Sequence, residues 1–125
     1  MVFALKTSSI RSAAPAFDEI FRDSAEAAAS LDCEAPVLCF SPAKLAARAN
    51  QFIDGFPGEV GYAVKANPCA KVITVLAQAG VGVFDVASTM EMKAVARICP
   101  TAKLHYHNPV KSRSEIATAW HAFGC

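Results

Sequence analysis

At 125 residues the chain has the length of one domain, but 54% hydrophobic residues and a mean hydropathy of +0.31 are high for a small free-standing domain, so much of its surface expects to be covered. Twelve basic against eleven acidic residues give a net charge of +1 with no basic stripe or acidic tail, so neither nucleic acid nor an anionic membrane surface is an expected partner. No apolar run reaches the roughly 18 residues of a membrane span, and five scattered cysteines without a CxxC or a histidine at zinc-ligand spacing argue against a disulfide framework and for a reduced, cytoplasmic protein.

Residues 1–14 look irregular. Residues 1–17 carry Lys6 and Arg11 without an acid, loosely like a transit peptide, but lack the basic-then-apolar order of a signal peptide. Residues 15–31 predict a helix: they are alanine-rich, with Phe17, Ile20 and Phe21 on one face and Asp18 and Glu19 near the start, where acids suit the helix dipole. The stretch 32–36 breaks it, and residues 37–40 form a short apolar strand candidate. Ser41 and Pro42 then supply an N-cap and first helical residue for a helix over 43–56, closed by Gly55 and Pro57-Gly58.

From residue 60 a beat sets in. Strands are predicted over 60–65, 81–86 and 103–107, each followed by a turn and a helix, over 70–79, 90–98 and 112–123. In the first strand Tyr62 and Val64 alternate with Gly61 and Ala63, which puts Lys65 on the small-residue face at the C-terminal end. Lys65, Asp85 and Asn108 close the three strands at near-regular intervals. Consecutive βα units imply a parallel sheet. Units this short suit a (β/α)8 barrel, which totals about 250 residues. An open doubly wound sheet is the runner-up, but no GxGxxG follows the first strand, and Gly80-Val-Gly82 precedes a strand instead. Three units cannot close a barrel, so residues 1–36 are read as an N-terminal extension with a helix. Residues 37–125 are read as the first part of an incomplete barrel domain in a larger enzyme. A complete small α/β domain is the alternative.

Polar residues at strand C-termini form the active face of such a barrel. Lys65 is an amine held at a strand end, suited to Schiff-base chemistry, although an arbitrary lysine there is an ordinary snorkelling side chain. Asp85 sits in an apolar run where a carboxylate is costly to bury without a partner, and the Lys65 amine is a candidate partner. Its bland alternative is a helix cap, for which Ser88 or Thr89 is better placed. Glu91 is expected as a capping-box acid for Ser88. His105 and His107 share one face of the third strand, but no third ligand stands out and no metal is expected. His107 is read as pocket-lining, and Lys111 as a solvated loop lysine.

Tyr62-Ala-Val-Lys-Ala-Asn-Pro68, Phe84-Asp-Val-Ala-Ser88 with Glu91, and His107-Asn-Pro-Val-Lys-Ser112 resemble, in order and spacing, the opening of the fold-type III pyridoxal-phosphate-dependent decarboxylases. The resemblance runs from about residue 36 to the end and rests on three motifs. Within that family the Ser88-Thr-Met-Glu91 and Asn108-Pro-Val-Lys111 segments look closer to ornithine decarboxylase than to the diaminopimelate branch. Alanine racemases share the lysine motif but typically continue it with a tyrosine-glycine-histidine segment, which Pro68-Cys-Ala70 does not match.

The resemblance implies an α/β fold, the start of a pyridoxal-binding TIM barrel of the alanine-racemase type, with its β-rich C-terminal domain absent. It implies pyridoxal 5'-phosphate as cofactor, with Lys65 forming the Schiff base and Ala63 beside it. Asp85 would face the Schiff-base region as a catalytic and cofactor-binding carboxylate, and Glu91 and His107 would shape the cofactor pocket. The substrate would be a basic amino acid, most readily L-ornithine giving putrescine in polyamine biosynthesis. The protein would be a cytoplasmic homodimer when full length, and the piece alone inactive. Lysine or diaminopimelate decarboxylation, a non-catalytic pyridoxal-binding relative, and an α/β binding domain without cofactor are the competing readings.

Overall fold

The computed structural model describes residues 2–6, 19–31 and 36–125, which fall into two compact units, 1–44 and 45–125. In the first unit, strands β1 (Val2–Lys6), β2 (Glu19–Phe21) and β3 (Val37–Phe40) form an antiparallel sheet in the order β2-β1-β3. Helix α1 (Ser24–Ser30) is started by Asp23, whose carboxylate accepts from the backbone amides of Ala25 and Glu26 at 3.0 and 2.9 Å. Those amides, with that of Glu26 foremost, hold the Asp23 carboxyl below its ordinary range. Phe21, Ala27 and Leu31 form this unit's core, with Val37 packed against it.

Two expectations change here. The irregular start contains β1, and the helix expected over 15–31 is shorter, because Glu19–Phe21 is a strand and the helix begins only after Asp23. An isoleucine and an aromatic in succession suit a pleated edge, with Phe21 opposite Val2 and buried and Ile20 opposite Phe3 and exposed. Asp23, a favoured N-cap residue, starts the helix after that strand. Residues 15–18, with Phe17 and Asp18, lie outside the described residues.

Helix α2 (Pro42–Gly55) begins after Ser41, whose hydroxyl accepts from the Lys44 amide at 3.4 Å. The second unit then alternates β4 (Gly61–Ala63), α3 (Ala70–Gln78), β5 (Val83–Val86), α4 (Thr89–Ile98), β6 (Lys103–Tyr106) and α5 (Arg113–Phe123). The strands pair in parallel in the order β4-β5-β6, in a register that aligns Tyr62 with Phe84 and Leu104, and Ala63 with Asp85 and His105. The three expected βα units are present, and α3, α4 and α5 pack side by side.

The core sits between this sheet and its helices. Phe84, Ile73, Met92, Val64, Val86 and Val95 are its fully buried side chains. Every β5 residue is buried except Asp85, as expected of a central parallel strand covered on both faces. Gly61 is fixed by the same closeness, since a Cβ there would lie 3.3 Å from Val83 Cγ1. Gly80 turns the chain from α3 into β5 at φ 99°, a conformation glycine adopts without strain. Helix α5 starts on a complete capping box between Ser112 and Glu115 and ends at Gly124 in the left-handed region. Among the described residues the outer edges of β4 and β6 carry no partner strand, and Trp120 and Ile116 of α5 stand exposed.

Phe84 has no exposed surface, so Phe84→Ala is expected to lower the unfolding free energy by about 3–5 kcal/mol in urea denaturation. A loss below about 1 kcal/mol would remove Phe84 from the core.

Candidate functional site at the C-terminal edge of the parallel sheet

Parallel pairing brings the exits of β4, β5 and β6 to one edge, and the three sequence motifs lie at those exits. At the first, the structure departs from expectation. The strand expected over 60–65 ends at Ala63, and Val64–Ala66 is a 3-10 turn that carries Lys65. The cause is local. Val64 is fully buried beneath the turn, and the Asn67 amide donates to the Val64 carbonyl at 3.1 Å. Pro68 keeps Asn67 extended. The Asn67 side chain accepts from the Cys69 amide at 3.0 Å, and the Asn67 backbone carbonyl accepts from the Tyr62 hydroxyl at 3.2 Å.

Lys65 is therefore exposed on a turn braced from both sides, and among the described residues its amine has no partner. Ala63 is half-buried just before it. Tyr62 stands edge-on to Phe84 with ring centroids 6.4 Å apart. Burial raises the Tyr62 phenol above its ordinary value, which keeps it a proton donor to Asn67.

At the second exit, Asp85 is the third of four β5 residues rather than the last. Its side chain is 36% exposed, and its partner is not Lys65 but His107, whose Nδ1 lies 3.0 Å from Oδ1. Asp85 does not cap α4. Ser88 does, its hydroxyl accepting from the Glu91 amide at 3.3 Å. The Glu91 carboxylate reaches one residue further back than a capping box requires and accepts from the Ala87 amide at 2.7 Å.

At the third exit, His107 stands one residue beyond β6, where a strand over 103–107 was expected, and it is exposed. The rings of His105 and His107 lie 5.5 Å apart, as their alternation predicts. No group of three metal-ligating side chains occurs among the described residues. Asn108 donates from Nδ2 to the Ala87 carbonyl at 3.0 Å. The Ala87 peptide is thus held at both ends, its amide by Glu91 and its carbonyl by Asn108. Sequence reasoning gave neither the Asn108 bridge nor the Tyr62 hydroxyl bond a role, although both are amide- or hydroxyl-bearing residues beside an X-Pro turn. Lys111 is exposed but not idle: its amine lies 4.9 Å above the Tyr106 ring, a cation–π contact.

Lys65, Asp85, Glu91 and His107 thus lie at or just beyond the C-terminal ends of the three parallel strands, the edge at which sheets of this kind bind ligands. The sequence profile of the family described as "pyridoxal-dependent decarboxylase, pyridoxal binding domain" matches residues 42–122, more than half of the chain, and the chain belongs to that family. No curated protein and no solved structure gives a significant match. Its cofactor is pyridoxal phosphate. The residues present fit that group chemically: an unpaired primary amine stands at the same sheet edge as a half-exposed carboxylate. No helix among the described residues is long and apolar enough to cross a membrane.

Asn108→Ala removes one of the two hydrogen bonds on the Ala87 peptide. It is expected to lower stability by about 1 kcal/mol, read as a shift in the urea midpoint. An unchanged midpoint would show that the bridge carries no net energy.

Proposed function

We propose that the protein decarboxylates a basic amino acid, L-ornithine first among them, with Lys65 as the residue that holds pyridoxal phosphate through its Nζ. The observation that carries this reading is the turn Val64–Ala66, which presents an unpaired amine at the exit of β4 in a chain of the pyridoxal-dependent decarboxylase family. When bound, the cofactor supplies an electron sink for the charge left behind by departing carbon dioxide. Everything else falls to the protein's own side chains.

Lys65 needs an amine free to swing, and an exposed position on a short turn allows this. Buried Val64 beside it fixes where the swing starts. Ala63, with no bulk beyond Cβ, leaves room next to the lysine. The Asp85 carboxylate faces the same sheet edge and holds a protonated nitrogen there. Glu91 acts from behind, fixing the Ala87 peptide and the first turn of α4 so that the β5 exit keeps its shape. His107 lines the pocket from β6.

The same reading makes residues 37–125 the opening of a (β/α)8 barrel preceded by an extension over 1–36. The exposed Trp120 and Ile116 and, among the described residues, the strand edges without a partner support it, since surface of this kind wants further units against it. A cytoplasmic homodimer feeding polyamine synthesis completes the proposal.

In the full-length protein, Lys65→Arg keeps the charge but is expected to abolish the visible pyridoxal absorbance and turnover together, because a guanidinium cannot replace the amine. An intact band in that variant would contradict the assignment. Ornithine is expected to be turned over faster than lysine or diaminopimelate, measured as carbon dioxide released. Turnover confined to diaminopimelate would replace the substrate, and turnover of none of the three would replace the reaction.

A further inference from the structure

The turn that carries Lys65 is held at Asn67. The Asn67 amide donates to the Val64 carbonyl at 3.1 Å and closes Val64–Ala66 into a 3-10 turn. The Asn67 backbone carbonyl accepts from the Tyr62 hydroxyl at 3.2 Å. The Asn67 side-chain oxygen accepts from the amide of Cys69, the N-cap of α3, at 3.0 Å. A lone turn fixes several dihedrals for one hydrogen bond, so it persists only where something else holds it. Here the holders are the tyrosine on the strand side and the asparagine side chain on the helix side.

The tyrosine's hold comes from the core. Its ring stands edge-on to Phe84, with centroids 6.4 Å apart, and Phe84 has no exposed surface. The parallel register sets Tyr62 opposite Phe84 and Ala63 opposite Asp85. A path of contacts therefore runs from Phe84 through the Tyr62 ring and hydroxyl to the Asn67 carbonyl, and so to the turn with Lys65 at its centre. Phe84 immediately precedes Asp85 in β5, so the strand that bears the carboxylate also fixes the turn that bears the amine. Burial raises the Tyr62 phenol above its ordinary value, and the protonated hydroxyl is the form that donates.

We propose that Tyr62 and Asn67 are positioning residues for Lys65: the hydroxyl bond on one side and the side-chain bond on the other fix the turn Val64–Ala66 against β5, so that the lysine meets pyridoxal phosphate from one place. This rests on the assignment of Lys65 as the cofactor lysine. The brace acts on the backbone beneath the lysine and leaves the amine without a partner among the described residues. An amine presented from a fixed base gives up less freedom when it is joined to a ligand, which favours the joined state.

The test compares two ligands by equilibrium dialysis against the full-length protein. Pyridoxal phosphate can join the lysine: the Lys65 nitrogen bonds to the aldehyde carbon while the aldehyde oxygen leaves as water with two amine protons. Pyridoxine phosphate, with an alcohol in place of the aldehyde, fills the site without that bond. Tyr62→Phe keeps the ring against Phe84 and removes only the hydroxyl. It is expected to weaken pyridoxal phosphate binding about fivefold, the scale of one neutral hydrogen bond, and to leave pyridoxine phosphate binding unchanged. Asn67→Ala removes the bond to the Cys69 amide without touching the ring, and is expected to show the same split between the ligands. Parent-like binding of both ligands, or equal weakening of both, in either variant would overturn the positioning role. Lys65→Ala, followed by visible absorbance, separates the levels. If it loses the pyridoxal band while Tyr62→Phe binds like the parent, only the positioning role falls. If it keeps the band, the site assignment falls and this inference falls with it.

Discussion

One strand carries the constraint on which the other elements depend. Strand β5 is covered on both faces, with Val83, Phe84 and Val86 buried, yet it holds a carboxylate at its third position. Burial of the apolar residues fixes β5 as the centre of the sheet, with β4 and β6 pairing on either side. The carboxylate cannot follow them into the core without a large desolvation cost. It remains half-exposed at the C-terminal edge, where His107 Nδ1 at the next strand's exit lies 3.0 Å from its Oδ1.

The loops at that edge are stiffer than their lengths imply. The β4 exit is closed by the buried Val64, the Asn67 side chain and the Tyr62 hydroxyl. The β5 exit is held through both ends of the Ala87 peptide, and the Asn108 bridge joins it to the β6 exit. A cofactor site benefits from such bracing, because its reactive groups must keep their spacing while the ligand exchanges. Among the described residues the Lys65 amine, by contrast, has no partner.

Much of this was legible in the sequence, and the misses have definite causes. The three βα units were readable because the parallel strands are near-continuous apolar runs punctuated by Asn-Pro, Gly and Ser-Thr. The caps at Ser41 and Ser88 followed from residue type, whereas Ser112, read as the first helical residue, is the N-cap of α5. The position of Lys65 was right at the level of the sheet edge and wrong at the level of the backbone. Strand alternation placed it on a pleat, whereas the tertiary demand to bury Val64 curls the chain into a turn one residue earlier. In the N-terminal unit a helical pattern over Ile20 and Phe21 yielded to strand pairing with β1, a long-range partner that local periodicity does not reveal. The Asp85–His107 contact was out of reach for the same reason: it spans a βα unit, and only the parallel register brings its members together.

The central claim is that Lys65 is the residue that carries pyridoxal phosphate. Its most direct test is borohydride reduction of the full-length protein with bound cofactor, followed by proteolysis and mass spectrometry. One pyridoxyl phosphate group is expected, carried by the peptide containing Lys65 and by no other. Label on Lys71, Lys111 or any lysine other than Lys65 would contradict it.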